Sequence, residues 1–596
     1  MLSRQSFTIS NLRQLYREGR ASPVDVALEA LRRAVCADFP NVWIGLLSRE
    51  AVLKYAESLV FEDFEKQPLF GVPFAIKDNI DLENFPTTAG CPSFAFTPAR
   101  SATVVDRLIS AGAIPIGKTN MDQFATGLVG LRSPYGACAS VFHRDYISGG
   151  SSSGSAVSVA SGMVSFSLGT DTAGSGRVPA AFNQIVGLKP SLGALSTKGV
   201  FPACRTLDCV TIFAGSCFDA DCVYRACAGA DASDPFSREL RETAFPRRLR
   251  VGVPRVKQRE FFGDKAAEAL FKEAIDHVLE LGIEMVEIDF EPFSEVAGLL
   301  YQGPWVAERR HALGEFLETQ GGSMDPTVRA IIAASEKYSA VDVFDAVYQL
   351  KALRARTQRE WSKMDVLLLP TTGTIYERKQ VEESPIVLNT NLGRYTNFVN
   401  LLDLSALAIP AGLRPSGLPF GVTLISHASC ERALLALGDQ LHKSAGCTLG
   451  ITPDAAIDQP EAQPPRSGDV HLAVVGAHLT GQPLNRHLTD RGARLVRTTR
   501  TAGYYQLFAL AGTTPPKPGL VRRAGRVGDG IEVEVWSLSE AAFGSFVAEV
   551  PPPMVIGTVN LADGSSVRGF LCEPVALEGA EDITIWGGWR RYLGRC

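Results

Sequence analysis

The sequence predicts an α/β layer protein of roughly 450 residues followed by a separate, small α+β domain. Three observations carry this expectation. Helical and strand-like segments alternate through the first part of the chain, a proline-rich stretch without periodicity interrupts near residue 450, and β-rich segments broken by glycine and proline turns follow it.

At the N-terminus, Ser10 can cap "NLRQLYREG" and Gly19 can end it. Ser22-Pro23 supplies an N-cap and a first-turn proline ahead of "VDVALEALRRA", so two helices are expected over about 8–35. Further on, "TVVDRLISAGA" has a helical period and "AIPIG" reads as a buried strand. "DKAAEALFKEAIDHVLELG" is an amphipathic helix, and "EMVEIDF" and "DVLLLP" are strands. The segment "GITPDAAIDQPEAQPPRSGD" is read as a linker, residues 449–469, between a domain over 1–448 and a second over 470–596. In the second, "HLAVVGAHL", "ARLVRTT", "IEVEVWSL" and "SVRGFLC" are the β-rich segments.

A net charge of −5, with 45% hydrophobic and 21% charged residues, describes an ordinary globular protein without the global basic field that nucleic acid or an anionic membrane would call for. The start "MLSRQSFTISNLRQLY" lacks an apolar signal region, and no apolar run of about 18 residues occurs, so a cytoplasmic location is expected. Twelve scattered cysteines fit a reducing compartment. The densest group, Cys204, Cys209, Cys217, Cys222 and Cys227, has loose spacing and no histidine nearby, so buried thiols are expected rather than a metal site, and no cofactor is expected.

Three motifs compete for the chemistry. "GAIPIGKT", Gly112 to Thr119, fits the pattern of a phosphate loop, but its centre is strand-like and its proline removes a backbone donor. "GSSSG" fits a nucleophile elbow at Ser152, yet the preceding "FHRDYISG" is too polar for a buried strand and histidines are scarce. The third is a lysine. Lys77 ends the apolar run of "LFGVPFAIKDNID", where burial would lower its pKa and leave an amine able to accept a proton. A lysine in such a place is commonly half of an ion pair, here with Asp78. The stretch "GTDTAGSGRVPA", residues 169–180, sets Ser175 among small residues that let a reacting group approach the backbone.

Residues 148–193, "SGGSSSGSAVSVASGMVSFSLGTDTAGSGRVPAAFNQIVGLKPSLG", resemble the signature of the amidase signature family, supported by "GVPFAIKDNID" and by "GKTNMDQFATG". The resemblance implies that family's fold, a mixed central sheet covered by helices, with the false phosphate loop as one of its strands. It also implies a catalytic lysine at Lys77, a bridging serine at Ser151 and a nucleophile at Ser175. Backbone N–H groups of Thr172, Ala173, Gly174 and Ser175 would form the oxyanion hole. Ala173 and Gly176 stand where the family commonly has glycine and isoleucine, and a positive φ at Ala173 would be strained. Asp171 and Arg177 are expected to form a bracing ion pair.

"LLYQGPWVAERR", residues 299–310, resembles the substrate segment of allophanate hydrolases, which implies Tyr301 and Arg309 as carboxylate binders, with Gly127 also at the substrate. Residue chemistry by itself leans instead towards Arg309 and Arg310 as a solvated helical face, since two adjacent arginines on a helix are common. "VVGAHLTGQPLNRHLTDRGARL" and "YYQLFALAGTTPPKPGLVRR" resemble the C-terminal domain of the same enzymes. What this implies is a two-step route: ammonia is removed from allophanate to leave N-carboxycarbamate, and the second domain assists its decarboxylation. His478, His487, Glu532, Glu534 and Glu549 are the candidates there. A homodimer and a separate urea carboxylase are implied as partners. The alternatives are an amidase subunit of a tRNA-dependent amidotransferase, an amidase for another small carboxylated amide, an inactive scaffold and a nucleotide-binding protein.

Overall fold

Short apolar runs decide the architecture of the first unit, because a strand covered on both faces can carry no polar alternation. Pro73–Lys77 and Val366–Pro370 are buried at every position. The computed structural model describes residues 2–246, 248–464 and 470–594. It divides into two units that part between residues 464 and 470.

Among the described residues, the first unit is built on an eleven-stranded mixed sheet. In chain order the strands are β1 (Trp43–Leu46), β2 (Pro73–Lys77), β3 (Ile114–Thr119), β4 (Phe166–Asp171), β5 (Val186–Lys189), β6 (Cys209–Ala214), β7 (Arg250–Pro254), β8 (Glu284–Ile288), β9 (Val366–Pro370), β10 (Leu404–Leu413) and β11 (Pro419–His427). Their spatial order is β1-β3-β2-β4-β6-β5-β10-β11-β9-β7-β8. β2 lies parallel to both β3 and β4, with Ile76 opposite Lys118 and Leu168. Lys77 and Asp171, the last residues of β2 and β4, therefore emerge at one edge of the sheet, where open α/β sheets form their sites.

The glycine/serine run becomes helix Ser153–Ala160, buried at all eight positions. Small residues allow it to touch the sheet: a Cβ on Gly154 would lie 2.2 Å from the Val42 carbonyl oxygen. Its hydroxyls are satisfied inside, Ser155 Oγ donating to the Leu168 carbonyl at 2.9 Å. On the outside, helix Lys265–Glu280 buries Ala267, Leu270, Phe271, Ala274 and Val278, the single face expected of its period.

At the N-terminus, helix Pro23–Cys36 starts as expected, with Ser22 and Asp25 forming a reciprocal capping box. Helix Ile9–Arg17 is capped instead by Thr8, whose side chain accepts from Asn11 N–H. Ser10 already lies within the first turn, with its hydroxyl beside that of Thr8. Of the expected linker, residues 449–464 are held on the first unit: Ala456 and Ala462 are buried, and Gly450 N–H donates to the Gln184 carbonyl. Residues 465–469 lie outside the described residues.

The second unit has two sheets among its described residues. One runs β13 (Arg494–Arg500), β16 (Glu532–Leu538), β12 (Val470–Val474), β18 (Ser566–Cys572), β17 (Met554–Asn560), and the other β15 (Pro518–Arg522), β14 (Tyr505–Ala509), β19 (Glu581–Asp582). All four β-rich segments named from the sequence are strands of the first of these. Its core includes Leu472, Val474, Tyr505, Val533 and Trp536.

Buried Asp219 accepts from Ile9 N–H at 3.2 Å and so anchors the first helix. Burial raises its pKa to about 7 against the weaker opposing pull of that bond and of Ser216. The fold therefore favours the protonated acid, and this stabilisation, complete below about pH 4, is lost as pH rises through about 7. Asp219→Asn keeps the acceptor and removes the charge, so its stability should gain on the wild type as pH rises from about 4 to about 7, by on the order of 2–4 kcal/mol, and its melting temperature should rise with it. A difference that does not change with pH would refute this account.

Candidate functional site

Lys77 is fully buried. Its Nζ donates to Ser151 Oγ and to Thr170 Oγ1, both at 2.7 Å. Among the described residues, no carboxylate lies within ion-pair distance of it. The expected partner Asp78 faces Lys118 instead, 3.8 Å away, and accepts from the N–H groups of Thr88 and Gly90. Alternation explains the difference, since neighbouring residues at a strand end point to opposite faces. Burial lowers the Lys77 pKa to about 7, against the upward pull of Asp122, Asp208 and Asp171, and the charge of Arg309 lowers it further.

Ser151 stands at the entrance to the buried helix, after a cis Gly150–Ser151 peptide. The loop before it is organised by Asp122, whose carboxylate accepts from the N–H groups of Val129, Gly130 and Arg132. Asp122 N–H in turn donates to the Ser151 carbonyl at 3.0 Å. Gly127, at φ +152°, belongs to this loop, and a Cβ there would meet Asp122 Oδ2 at 2.6 Å.

Ser175 is 3% exposed, on the turn that leaves β4. Asp171 holds that turn: it accepts from Gly174 N–H at 2.8 Å and Gly176 N–H at 3.0 Å, and forms the expected pair with Arg177 in bidentate form at 2.9 and 3.0 Å. Arg177 also reaches the Thr396 carbonyl and Asn400 Oδ1. One expectation is corrected here. Gly174 N–H is committed to Asp171 and is no free donor, and the residue's part is its backbone, at φ +141° with Thr396 against it. The N–H groups of Thr172, Ala173 and Ser175 have no acceptor among the described residues. Ala173 does not carry the feared positive φ. At Gly176 a Cβ would lie 2.5 Å from Thr211 Cγ2, which accounts for glycine there.

Tyr301 lies on helix Glu291–Gln302 and Arg309 on helix Val306–Leu313. Arg309 is 3% exposed, so it is no solvated face. Arg310 is the surface residue, paired with Glu318 and Glu336. Arg309 Nη1 donates to the Ala125 carbonyl at 3.3 Å and Thr126 Oγ1 at 3.1 Å, and its guanidinium lies 5.7 Å from the Tyr301 ring centre. No acid pairs with it among the described residues, and its Nε and Nη2 have no protein acceptor there. Tyr301 also walls a cavity of about 220 Å³ with Arg132, Lys337 and Tyr338. Three residues of this region escaped the sequence reading: Thr170, Asp122 and Asp208. Thr170 stood inside the G-T-D run, but nothing in the spacing said that its hydroxyl would meet a lysine from another strand.

The competing motifs resolve on burial. Lys118 of the false phosphate loop is buried in β3 and donates to Thr87 Oγ1. Ser152 Oγ donates to the Thr170 carbonyl, and His143, half exposed, lies beside Asp145. Cys204, Cys209, Cys217 and Cys227 are buried thiols whose pKa values burial raises.

In the second unit, His478 and His487 line a cavity of about 220 Å³ with Lys517, Glu549 and Phe570. The His478 ring stacks on Phe570, and burial, with His487 and Lys517 nearby, lowers its pKa to about 4. Glu534 is a brace: it accepts from Thr480, Trp536 Nε1 and Arg590. Glu532 also pairs with Arg590, and Glu549 with Arg491.

The chain matches the Amidase family over residues 31–435 and the allophanate hydrolase C-terminal domain over 470–594. It is 44% identical over 578 residues to a urea amidolyase of Saccharomyces cerevisiae, covering 94% of this chain and 31% of that protein. It thus spans about a third of the length of such curated relatives. The structure is similar to that of a Kluyveromyces lactis allophanate hydrolase, with TM-score 0.78, 39% identity and 98% of both chains covered. It is also similar to that of the K. lactis urea amidolyase, with TM-score 0.80, 39% identity, 98% of this chain covered and 36% of that one. With a sequence match that takes in β2, the buried helix and the Ser175 turn, the chain belongs to the amidase family and carries an allophanate hydrolase C-terminal domain behind it.

Proposed function

We propose that the chain hydrolyses allophanate through a Ser-Ser-Lys relay. The observation that carries the relay is a fully buried amine 2.7 Å from a serine hydroxyl, without an acid to keep it charged. Neutral Lys77 takes the Ser151 proton as Ser151 takes that of Ser175, and Ser175 Oγ attacks the amide carbonyl. The oxyanion accepts from the N–H groups of Thr172, Ala173 and Ser175, in surroundings that exclude water. On collapse, the relayed proton returns to the leaving nitrogen, ammonia departs, and Ser175 holds the acyl group. Water, deprotonated by the same relay, releases N-carboxycarbamate and restores Ser175.

Arg309 supports allophanate over an uncharged amide. A buried guanidinium with two unused donor nitrogens is suited to a carboxylate, and Tyr301 beside it supplies a neutral phenol. A glutamyl-tRNA(Gln) amidotransferase component from Heliobacterium modesticaldum is 33% identical over 64% of this chain, which keeps a role in an amidotransferase as the second reading. The second domain weighs against it. There, neutral His478 with Lys517 and His487 suits a dianion that must take up a proton as it loses carbon dioxide, so we assign decarboxylation to that cavity. ATP-dependent carboxylation of urea then falls to another polypeptide or to a further part of a longer one. Val341, Phe344 and Tyr348, 60–68% exposed along one side of helix Ala340–Trp361, support a homodimer. No helix among the described residues is long and apolar enough to cross a membrane.

Ser175→Ala should abolish ammonia release and labelling by a fluorophosphonate probe. Because Lys77 works uncharged, kcat/KM should rise about tenfold per pH unit up to about 7 and then level, and a flat profile below 7 would count against the relay. Arg309→Ala should raise KM for allophanate by roughly 10–100-fold, with little change for a small uncharged amide. Equal effects on both would refute the carboxylate assignment. His478→Ala should slow carbon dioxide release while the first ammonia appears at the normal rate.

A further inference from the structure

The loop of residues 203–208 joins two parts of the site that the chain reaches separately. At one end it belongs to the Ser175 turn. The Asp208 carboxylate accepts from Thr172 Oγ1 and closes the loop on itself through Ala203 N–H at 2.8 Å and Cys204 N–H at 3.1 Å. Asn400 donates to both the Leu207 and the Asp171 carbonyls, at 2.9 and 2.8 Å, so loop and turn share one anchor. At the other end, Thr206 presents N–H and Oγ–H together to one carboxylate, that of Glu308, at 2.9 and 2.5 Å.

Glu308 immediately precedes Arg309 on helix Val306–Leu313. Successive helical residues point about 100° apart, so one side chain can grip the loop while the next enters the site. The helix is short, follows Gly303 and stops at Gly314, with φ +48°. A rotation of about 20° about its axis would move a guanidinium some 6–7 Å from that axis by about 2 Å, and displacements of that size cost large factors in a positioned contact.

We propose that Glu308 is a positioning residue for substrate specificity. By clasping Thr206 it fixes the rotation of the Arg309 helix against the oxyanion turn, and so sets the span between the carbonyl and the carboxylate that the site accepts. This rests on Arg309 as the carboxylate binder. The clasp touches the loop at Thr206 and makes no hydrogen bond with Ser175, while Asp208 anchors the loop to the turn independently, so the effect falls on recognition of the charged end.

The test compares Glu308→Ala, Thr206→Val and Arg309→Ala with allophanate and with a small uncharged amide. Glu308→Ala and Thr206→Val should each raise KM for allophanate roughly tenfold, with kcat and the uncharged amide altered less than about threefold. Thr206→Ser, which retains both donors, should behave as wild type. Glu308→Ala added to Arg309→Ala should cost little more than Arg309→Ala alone, because the clasp acts through that side chain. The proposal is overturned if Glu308→Ala leaves KM for allophanate unchanged, depresses both substrates equally, or adds its full effect to that of Arg309→Ala. If Arg309→Ala itself fails to separate the two substrates, the carboxylate reading falls first; if it separates them and Glu308→Ala does not, only the clasp falls.

Discussion

Everything in the first unit turns on an amine removed from water without a counter-ion. Desolvation disfavours the charged ammonium, and the ordinary remedy, a carboxylate in contact, is withheld from Lys77. Two hydroxyls take its place, Ser151 and Thr170, each able to accept from the amine and, in the case of Ser151, to give a proton back. The acids that raise its pKa, Asp122, Asp208 and Asp171, act from beyond contact distance, and the positive charge of Arg309 opposes them. The balance leaves an amine whose pKa is lowered to about 7, the range that the proposed general-base role calls for.

Those same acids each have a structural task, which is why they can be buried at all. Asp122 gathers three N–H groups of the loop facing Ser151, Asp171 holds the Ser175 turn and pairs with Arg177, and Asp208 closes the 203–208 loop onto Thr172. Asp122 and Asp208 do so with backbone and hydroxyl donors and, among the described residues, no cation within ion-pair distance, whereas Asp171 adds Arg177. Each therefore fixes a turn near Lys77 while contributing to the field that raises its pKa.

The second unit handles charge differently. Its buried acid, Glu534, is spent on Arg590 and on the turn at Thr480, whereas its cavity collects His478, His487 and Lys517. The cavity's one lining carboxylate among the described residues, Glu549, is paired with Arg491, which leaves basic groups over an apolar floor to face a small anion. The amidase relay, by contrast, needs its cation discharged. The two units thus carry opposite electrostatic arrangements, a buried lysine whose pKa is lowered in the first and a cavity gathering basic side chains in the second.

Much was legible in the sequence. Period and apolar runs marked the strands, the helix Lys265–Glu280 and the capped helix at Ser22, because those depend on neighbours within a few positions. The glycine/serine run marked a stretch where chain must pack closely, because small residues are required wherever a helix approaches backbone, and the resemblance to the amidase signature singled out Lys77, Ser151 and Ser175. Other features were decided only by the tertiary structure. Asp78 pairs with Lys118 and not with Lys77, Gly174 N–H belongs to Asp171, Arg309 is buried while Arg310 is not, and Thr170 completes the seat of the amine. The Lys118 and Thr170 contacts join the end of β2 to neighbouring strands, brought together by the parallel pairing of β2 with β3 and β4. The burial of Arg309 depends on the chain packed around its helix, and the Gly174 bond depends on the conformation of its turn, none of which spacing along the chain states.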